Sequence, residues 1–291
     1  MAMAARYQRL GLIAGGGELP VHVATAAQAE NRLGCVITLD GFGEADRYGH
    51  AVTLGIGQIG AIFDALKSHQ CDAVCFAGIV ARPDFTKLRP DMKGIGLLPK
   101  VLAAATRGDD ALLRCVVEIF EKEGLSVVGA EEISDALKAR LGVLGKQTPS
   151  DQDRSDAFKA MHVAGVIGSE DIGQGAVVCD GLVLAVEAQE GTDRMLARVA
   201  ELPAALRGNA RDRKGVLAKR PKPVQERRVD LPVIGLSTIR GVAHAGLAGI
   251  VVPAGGALIL GAEAVAEAAD RSGVFVWVVD EAIVSAETEG L

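Results

Sequence analysis

Two short segments place carboxylates where they could do chemistry: EAQEGTD at 187–193 and RRVDLP at 227–232. Asp230 stands between two arginines and a proline-led apolar run. A carboxylate fixed among cations is a structural ion-pair partner, a metal ligand or a base for phosphoryl chemistry. Glu187, Glu190 and Asp193 gather where a strand gives way to a helix, with Thr192 as the expected N-cap. Compensation of the helix dipole explains Asp193 as well as metal binding does. Asp151, Asp153 and Asp156 in SDQDRSD read as first-turn acids, with Ser150 and Asp153 spaced as a capping box.

The cations complement these acids. Between Arg207 and Arg228 stand nine cations (Arg207, Arg211, Arg213, Lys214, Lys219, Arg220, Lys222, Arg227 and Arg228) against Asp212 and Glu226, in a chain of net charge −6. Lys219 and Lys222 flank the end of a short apolar strand, GVLAKRPKP, and would converge on a pyrophosphate; the alternative is a solvated basic face. Few aromatics accompany them and the overall charge is negative, so no nucleic-acid partner is expected. Gly15, Gly16 and Gly17 sit between a strand and a helix, where bare backbone lets an anion reach helix N-terminal amides. The triplet is not a complete dinucleotide fingerprint. Asp40, at the end of the next strand, nevertheless keeps a nicotinamide cofactor open as an alternative to a plain tight turn. The loop GIVARPDF (78–85) adds Ile79 and Arg82, and Lys100 lies on the otherwise apolar helix IGLLPKVLAAA. Arg82 is a phosphate contact or a solvated loop arginine, and Lys100 a ligand or a snorkelling side chain.

The elements that position these groups follow from the apolar pattern. A strand at 9–14, a helix opened by Pro20, a strand at 35–40, a helix over 57–69 and the uninterrupted apolar run DAVCFAG (72–78) make successive βαβ units. Helices at 94–105 and 109–123 and a strand at 125–129 complete a doubly wound half. GVLGKQTPS (142–150) combines Gly, Pro and polar residues without periodicity and marks a domain boundary. Beyond it come a helix to about 168, a hairpin turning at Asp180-Gly181, a helix from Thr192 and alternating strands and helices over 233–279. The fold class is therefore α/β in two domains. Residues 1–145 form a Rossmann-like parallel-sheet domain for nucleotide or substrate binding, and 146–291 a catalytic domain with a mixed sheet and helices.

The uncharged run Gly241–Ala262 is long enough to suggest a membrane span, but six glycines, Pro253 and His244 break it, and it reads as a buried helix and strand. The N-terminal apolar run is too short for a signal peptide, and the five cysteines form no CxxC pair, as expected of reduced thiols in a cytoplasmic protein. Walker A, HExxH, GxSxG and Nudix patterns are absent, which removes most support for covalent serine and histidine-zinc chemistry.

The motifs AGGGELP (14–20), SDQDRSDA (150–157), DIGQG (171–175), LAVEAQEGTDRML (184–196), KRPKPVQERRVDLPVIGLST (219–238) and AGLAGIVVPAGGALIL (245–260), taken in order, resemble one family. It is the soluble UDP-2,3-diacylglucosamine diphosphatase of lipid A biosynthesis, the LpxI type. The resemblance covers nearly the whole chain. Where the family more commonly reads KPxQDxRVDLP, this chain has Glu226 after Gln225. The resemblance implies hydrolysis of UDP-2,3-diacylglucosamine to UMP and lipid X, with Mg2+ and water attack on the uridylyl-side phosphorus. Asp230 is then the essential carboxylate and a Mg2+ ligand, with Asp193 as a further ligand and Glu187 as a lesser candidate. Gly15, Gly16, Gly17, Ile79, Arg82, Lys100, Gln174, Glu187, Thr192, Lys219, Lys222 and Gln225 are the expected substrate contacts. A cytoplasmic protein touching the inner face of the inner membrane transiently, and free to form a homo-oligomer, completes the expectation. A nicotinamide-dependent oxidoreductase and a noncatalytic sensor of nucleotide-sugar or lipid ligands are the other classes the residues allow.

Overall fold

The computed structural model describes residues 7–223 and 225–288. The chain divides into two compact units, one of residues 1–135 with 226–230, the other of 136–225 with 231–291. The first is built from β1 (Leu10–Ala14), α1 (Leu19–Ala29), β2 (Leu33–Leu39), β3 (Val52–Leu54), α2 (Ile59–Ser68) and β4 (Ala73–Ala77). It continues through α3 (Met92–Ala105), α4 (Asp109–Lys122), β5 (Ser126–Val127) and the short α5 (Ala130–Ile133). Its strands run parallel in the order β3-β2-β1-β4-β5. The arrangement is Rossmann-like, as the near-continuous apolar runs require: β1 is buried along its whole length because both faces of a parallel sheet are covered. Ile13, Ile37, Val74 and Leu66 form the core with Phe120, whose ring lies 4.8 Å from Phe63 and 4.9 Å from Phe76. Val229 packs against this same core.

The second unit comprises β6 (Gly142–Leu144), α6 (Asp151–Ser169), β7 (Gly175–Cys179), β8 (Leu182–Val186), α7 (Gly191–Glu201), α8 (Ala204–Arg207) and β9 (Val216–Lys219). It ends with β10 (Val233–Ile234), α9 (Leu236–His244), β11 (Gly249–Pro253), β12 (Leu258–Ile259), α10 (Ala262–Ser272), β13 (Phe275–Val279) and α11 (Glu281–Thr288). Its six-stranded sheet runs β6-β13-β11-β9-β7-β8, parallel among β13, β11 and β9 and antiparallel at β6, β7 and β8. The two-residue period of a strand sorts its side chains onto two cores. Leu217, Val177 and Ile250 face Met195, Val199, Ile239 and Val242 from α7 and α9, while Val216, Ala218 and Val251 face Ala157, Ala160 and Met161 of α6. The run Gly241–Ala262 resolves into parts of α9, β11 and β12, and no described helix is long and apolar enough to cross a membrane.

Two boundaries differ from the sequence reading. Residues 142–144, placed before the domain boundary, form β6 and pair antiparallel with Trp277 and its neighbours in β13. Ala139 also belongs to the second unit's core, and the division falls after Asp135. A three-residue strand is too short to show a period, so the Gly- and Pro-rich composition dominated the reading. Thr192 is not the helix cap: α7 starts at Gly191 with Glu190 as N-cap, and the Thr192 hydroxyl turns to Glu187.

The hairpin and the capping box are present as read. Asp180 and Gly181 both have positive φ, 47° and 76°, the pair of left-handed residues that a two-residue type I′ turn requires. Ser150 and Asp153 cap α6 reciprocally, the Ser150 N–H donating to Asp153 at 2.9 Å and the Asp153 N–H to Ser150 Oγ at 3.2 Å. Asp156, read from the sequence as a first-turn acid, lies a turn further into α6; 1% exposed, it accepts the backbone N–H groups of Asp180 at 2.9 Å and Gly181 at 2.8 Å and holds the hairpin turn. Asp156→Ala removes both charge-assisted bonds from the turn amides; we expect a loss of about 1.5–3 kcal/mol. Urea unfolding with an unchanged m-value checks this. A loss under about 0.5 kcal/mol, within ordinary surface-substitution scatter, would show that the turn stands without the carboxylate.

Candidate functional site

In the second unit, β9, β11, β13 and β8 end, and β7 begins, on one edge of the sheet. This is the carboxyl edge of the parallel strands, where open α/β sheets place their ligands. Two charged residues are buried there. Lys219, the last residue of β9, pairs in register with Gly175, and its Nζ donates to the Val233 carbonyl at 3.2 Å. Glu187, just beyond β8, donates its N–H to the Gly175 carbonyl at 2.8 Å. Each is 6% exposed.

Both residues thus flank Gly175, and residues paired across strands point to the same face of a sheet. Their α-carbons stand two strand spacings apart, roughly 10 Å. The glycine between them is a steric necessity: a Cβ on Gly175 would lie 2.5 Å from Glu187 Oε2. Glu187 Oε1 accepts from the Thr192 hydroxyl at 2.9 Å, whereas Oε2 is buried and has no hydrogen-bond donor among the described residues. The Gln174 side-chain oxygen, on the preceding residue, is in the same condition. Buried acceptors without donors are costly, and at the mouth of a sheet edge they are groups that a ligand, water or cation would satisfy.

Lys222 leaves the strand in another direction. Its Nζ lies 2.6 Å from the Asp171 carboxylate, and its backbone N–H donates to Gln225 Oε1 at 2.8 Å, which closes the turn after β9. Asp193 is exposed in the first turn of α7, and Glu190 is held by Arg198. Its own backbone amide, and then Arg198, keep the Glu190 carboxyl below the usual carboxylate range.

Much of the basic window is spent inside the fold. Arg207 donates to the Leu202 and Ala245 carbonyls, Arg213 to those of Ala243 and Leu247, and Arg220 to Met161 and the Glu281 carboxylate. Sequence reasoning could count these cations but could not see their acceptors, which are distant in the chain. It also missed Asp171 and the role of Gly175; the isolated glycine at the start of a strand pattern was the available signal for close approach.

In the first unit, Gly15 and Gly16 already use their amides. The Gly16 N–H donates to Ile79 O at 2.9 Å, Ile79 returns a bond to Gly16 O at 2.8 Å, and the Gly15 N–H donates to Ala77 O at 2.8 Å. A Cβ on Gly15 would come within 2.7 Å of the Ile79 carbonyl, so the bare backbone here serves loop-to-loop pairing. The Gly17 carbonyl accepts from Arg47, and the Ile79 side chain is exposed. Arg82 ties its loop to the turn between α3 and α4 through Ala105 O at 2.6 Å and Asp109 at 3.3 Å. Lys100 pairs with Glu118 at 2.8 Å beside a cavity of about 170 Å³ that Arg107 and Arg114 also line.

Asp230 is half-buried and belongs to the first unit. Its segment is anchored from beneath by Val229 in the core. Arg228 donates to both oxygens of Glu226, at 2.8 and 2.9 Å, and to Glu121 at 2.7 Å. The Arg228 guanidinium holds the Glu226 carboxyl below its ordinary range. The Asp230 N–H donates to the Glu226 carbonyl at 3.2 Å. The structure therefore brings together Gln174, Glu187, Thr192 and Lys219 at one sheet edge, with Lys222 and Gln225 in the turn that follows. Gly15, Gly16 and Ile79 meet at the edge of the other sheet.

Comparison with known proteins covers both units. The model of the LpxI N-terminal domain matches residues 9–137 and that of the LpxI C-terminal domain residues 140–277. UDP-2,3-diacylglucosamine pyrophosphatase LpxI of Caulobacter vibrioides is 55% identical over 275 residues, spanning 94% of this chain and 98% of the relative. With both domain models matched in order and more than half of the residues identical along nearly the whole length, this chain belongs to the LpxI family.

Proposed function

We propose that this protein hydrolyses the pyrophosphate bond of UDP-2,3-diacylglucosamine, giving UMP and 2,3-diacylglucosamine 1-phosphate (lipid X), by water attack on the uridylyl-side phosphorus. The observation that carries the reading is the end-to-end likeness to a relative bearing that activity in its name. The site geometry supports it. Lys219 offers a buried positive charge to phosphate oxygens, and Glu187 a buried acceptor for water, a substrate hydroxyl or a cation.

Among the described residues no three His, Cys, Asp or Glu side chains gather as a metal cage. Magnesium does not need one: it is held by one or two carboxylates together with substrate phosphates and water. The unpartnered Glu187 oxygen is a donor of that hard, anionic kind, so the residues present fit the ion. We assign its binding to Asp230, the carboxylate that the family resemblance implies, and keep Asp193 and Glu187, which belong to the other unit, as alternative carboxylates. When bound, magnesium supplies charge neutralisation at the phosphates and a lower pKa for its water. Asp230 orients the attacking water, Lys219 neutralises developing charge on the phosphoryl oxygens, and Thr192 fixes the Glu187 rotamer. The diacyl substrate calls for transient contact with the inner face of the inner membrane from the cytoplasm, and assembly as a homo-oligomer is compatible with this.

Incubation with UDP-2,3-diacylglucosamine, Mg2+ and 18O-labelled water tests the reaction: labelled UMP and unlabelled lipid X are expected, with both products lost under chelation. Label in lipid X would overturn the attack geometry, and the absence of products the activity. Asp230→Ala is expected to lower kcat by a factor of at least ~100 while leaving the melting curve in place; near wild-type turnover would remove Asp230 from the mechanism. Glu187→Gln keeps the shape and cancels the charge, and Gly175→Ala displaces the carboxylate. Each should reduce kcat/KM by roughly tenfold or more, as loss of a charged hydrogen-bond partner does. Unchanged steady-state kinetics in both would leave Glu187 a purely structural group.

A further inference from the structure

At the amino-terminal end of the first sheet two thiols face each other, and we propose that Cys35 and Cys71 form a peroxide-sensitive dithiol that closes to a reversible disulfide. Their sulfurs are 3.8 Å apart, although the residues are 36 positions apart in the chain and β1 runs between the strands that carry or follow them. Cys35 lies on β2 in register with Gly11, and Cys71 sits in the turn before β4. The approach is possible because the intervening backbone is bare. A Cβ on Gly34 would stand 2.7 Å from the Cys71 sulfur, and one on Gly11 3.5 Å from it. A disulfide of about 2.05 Å needs the sulfurs to close by roughly 1.8 Å, a shift on the scale of side-chain adjustment.

The two thiols are chemically unequal. Cys71 is half-exposed and its pKa is drawn down, chiefly by its hydrogen bond with Cys35 and further by the Arg9 charge. Cys35, the buried member of the pair, is pushed up by that same contact and by burial. Burial also pushes up Cys75, and Cys179 to about 11, so the remaining described thiols are protected as well as enclosed. Cys71 is therefore the attacking thiolate and Cys35 the resolving thiol, the arrangement found in redox-sensitive pairs. The oxidant is hydrogen peroxide. The Cys71 sulfur takes the terminal oxygen, forming an S–O bond as the O–O bond breaks, and the leaving hydroxide is protonated to water. The Cys35 sulfur then attacks the sulfenic sulfur; the S–S bond forms, the S–O bond breaks, and the departing hydroxide leaves as water with the Cys35 proton. Two thiols lose two electrons, one peroxide becomes two waters, and a dithiol reductant restores the pair. The dithiol sits at the opposite end of β1 and β4 from the loops carrying Gly15, Gly16 and Ile79.

The test treats reduced full-length protein with stoichiometric hydrogen peroxide, alkylates residual thiols and maps the peptides by mass spectrometry. A Cys35–Cys71 cross-linked peptide that dithiothreitol reverses is expected, with Cys75, Cys115 and Cys179 fully alkylated. In Cys35→Ser, Cys71 should be captured as its sulfenic acid by dimedone; in Cys71→Ser, Cys35 should stay reduced. Oxidation of Cys71 without the cross-link, preferential oxidation of another cysteine, or a cross-link seen in wild-type protein only after urea unfolding would each overturn the proposal. The last comparison needs no variant to fold.

Discussion

Burying a carboxylate and an ammonium at the end of a sheet is expensive, and the second unit is arranged around that expense. Lys219 and Glu187 are each 94% enclosed. The bare Gly175 between them accepts the Glu187 carboxylate over its own α-carbon, and the Val233 carbonyl takes a proton of Lys219. Thr192 satisfies one Glu187 oxygen, and among the described residues the other has no donor. A merely structural ion pair would close on itself, because breaking or separating a buried pair costs more than forming it well. On the proposed reading, the Glu187 oxygen that Thr192 does not reach is the group left to meet water, substrate or a cation.

Permanent parts of the fold supply the rigidity that such a site needs. The face carrying Glu187 and Lys219 continues downward into Val177, Leu217 and Ile250, which pack against α7 and α9, so the charged groups stand on top of a close-packed core rather than on a free loop. On the opposite face the small residues Ala157 and Ala160 bring α6 close to the sheet, and Asp156 from the same helix holds the turn joining β7 and β8. The hairpin that delivers Glu187 is therefore fixed at its far end by one buried carboxylate while it presents another at the near end.

The sequence made the periodic parts legible and left the pairwise parts hidden. Apolar runs such as LGLIA and DAVCFAG announced parallel strands, and Asp180-Gly181 and Ser150 with Asp153 announced a turn and a cap, because in each case the physics acts between near neighbours. The basic window was visible as a number of charges. Which cations serve ligands and which brace the fold depends on acceptors far along the chain: Arg213 reaches residues 30 and 34 positions away, and Arg228 reaches Glu121, 107 positions away. The glycine triplet shows the same limit from the other side. Its composition suits an anion cradle, but two of its amides are taken by the loop after β4, a pairing that no local pattern encodes.

The segment around Asp230 shows how one residue can do two jobs in holding a candidate carboxylate in place. In the contiguous stretch 219–238, residues up to Gln225 belong to the second unit, 226–230 to the first, and the remainder to the second again. The Glu226 side chain chelates Arg228, whose other arm reaches Glu121. The backbone of Asp230, however, bonds to the Glu226 carbonyl and not to its carboxylate, and Val229 plugs the core beside it. The Glu226 carboxylate therefore serves the ion pair while its carbonyl serves the Asp230 backbone, so one residue fixes both the charge and the chain path beside Asp230.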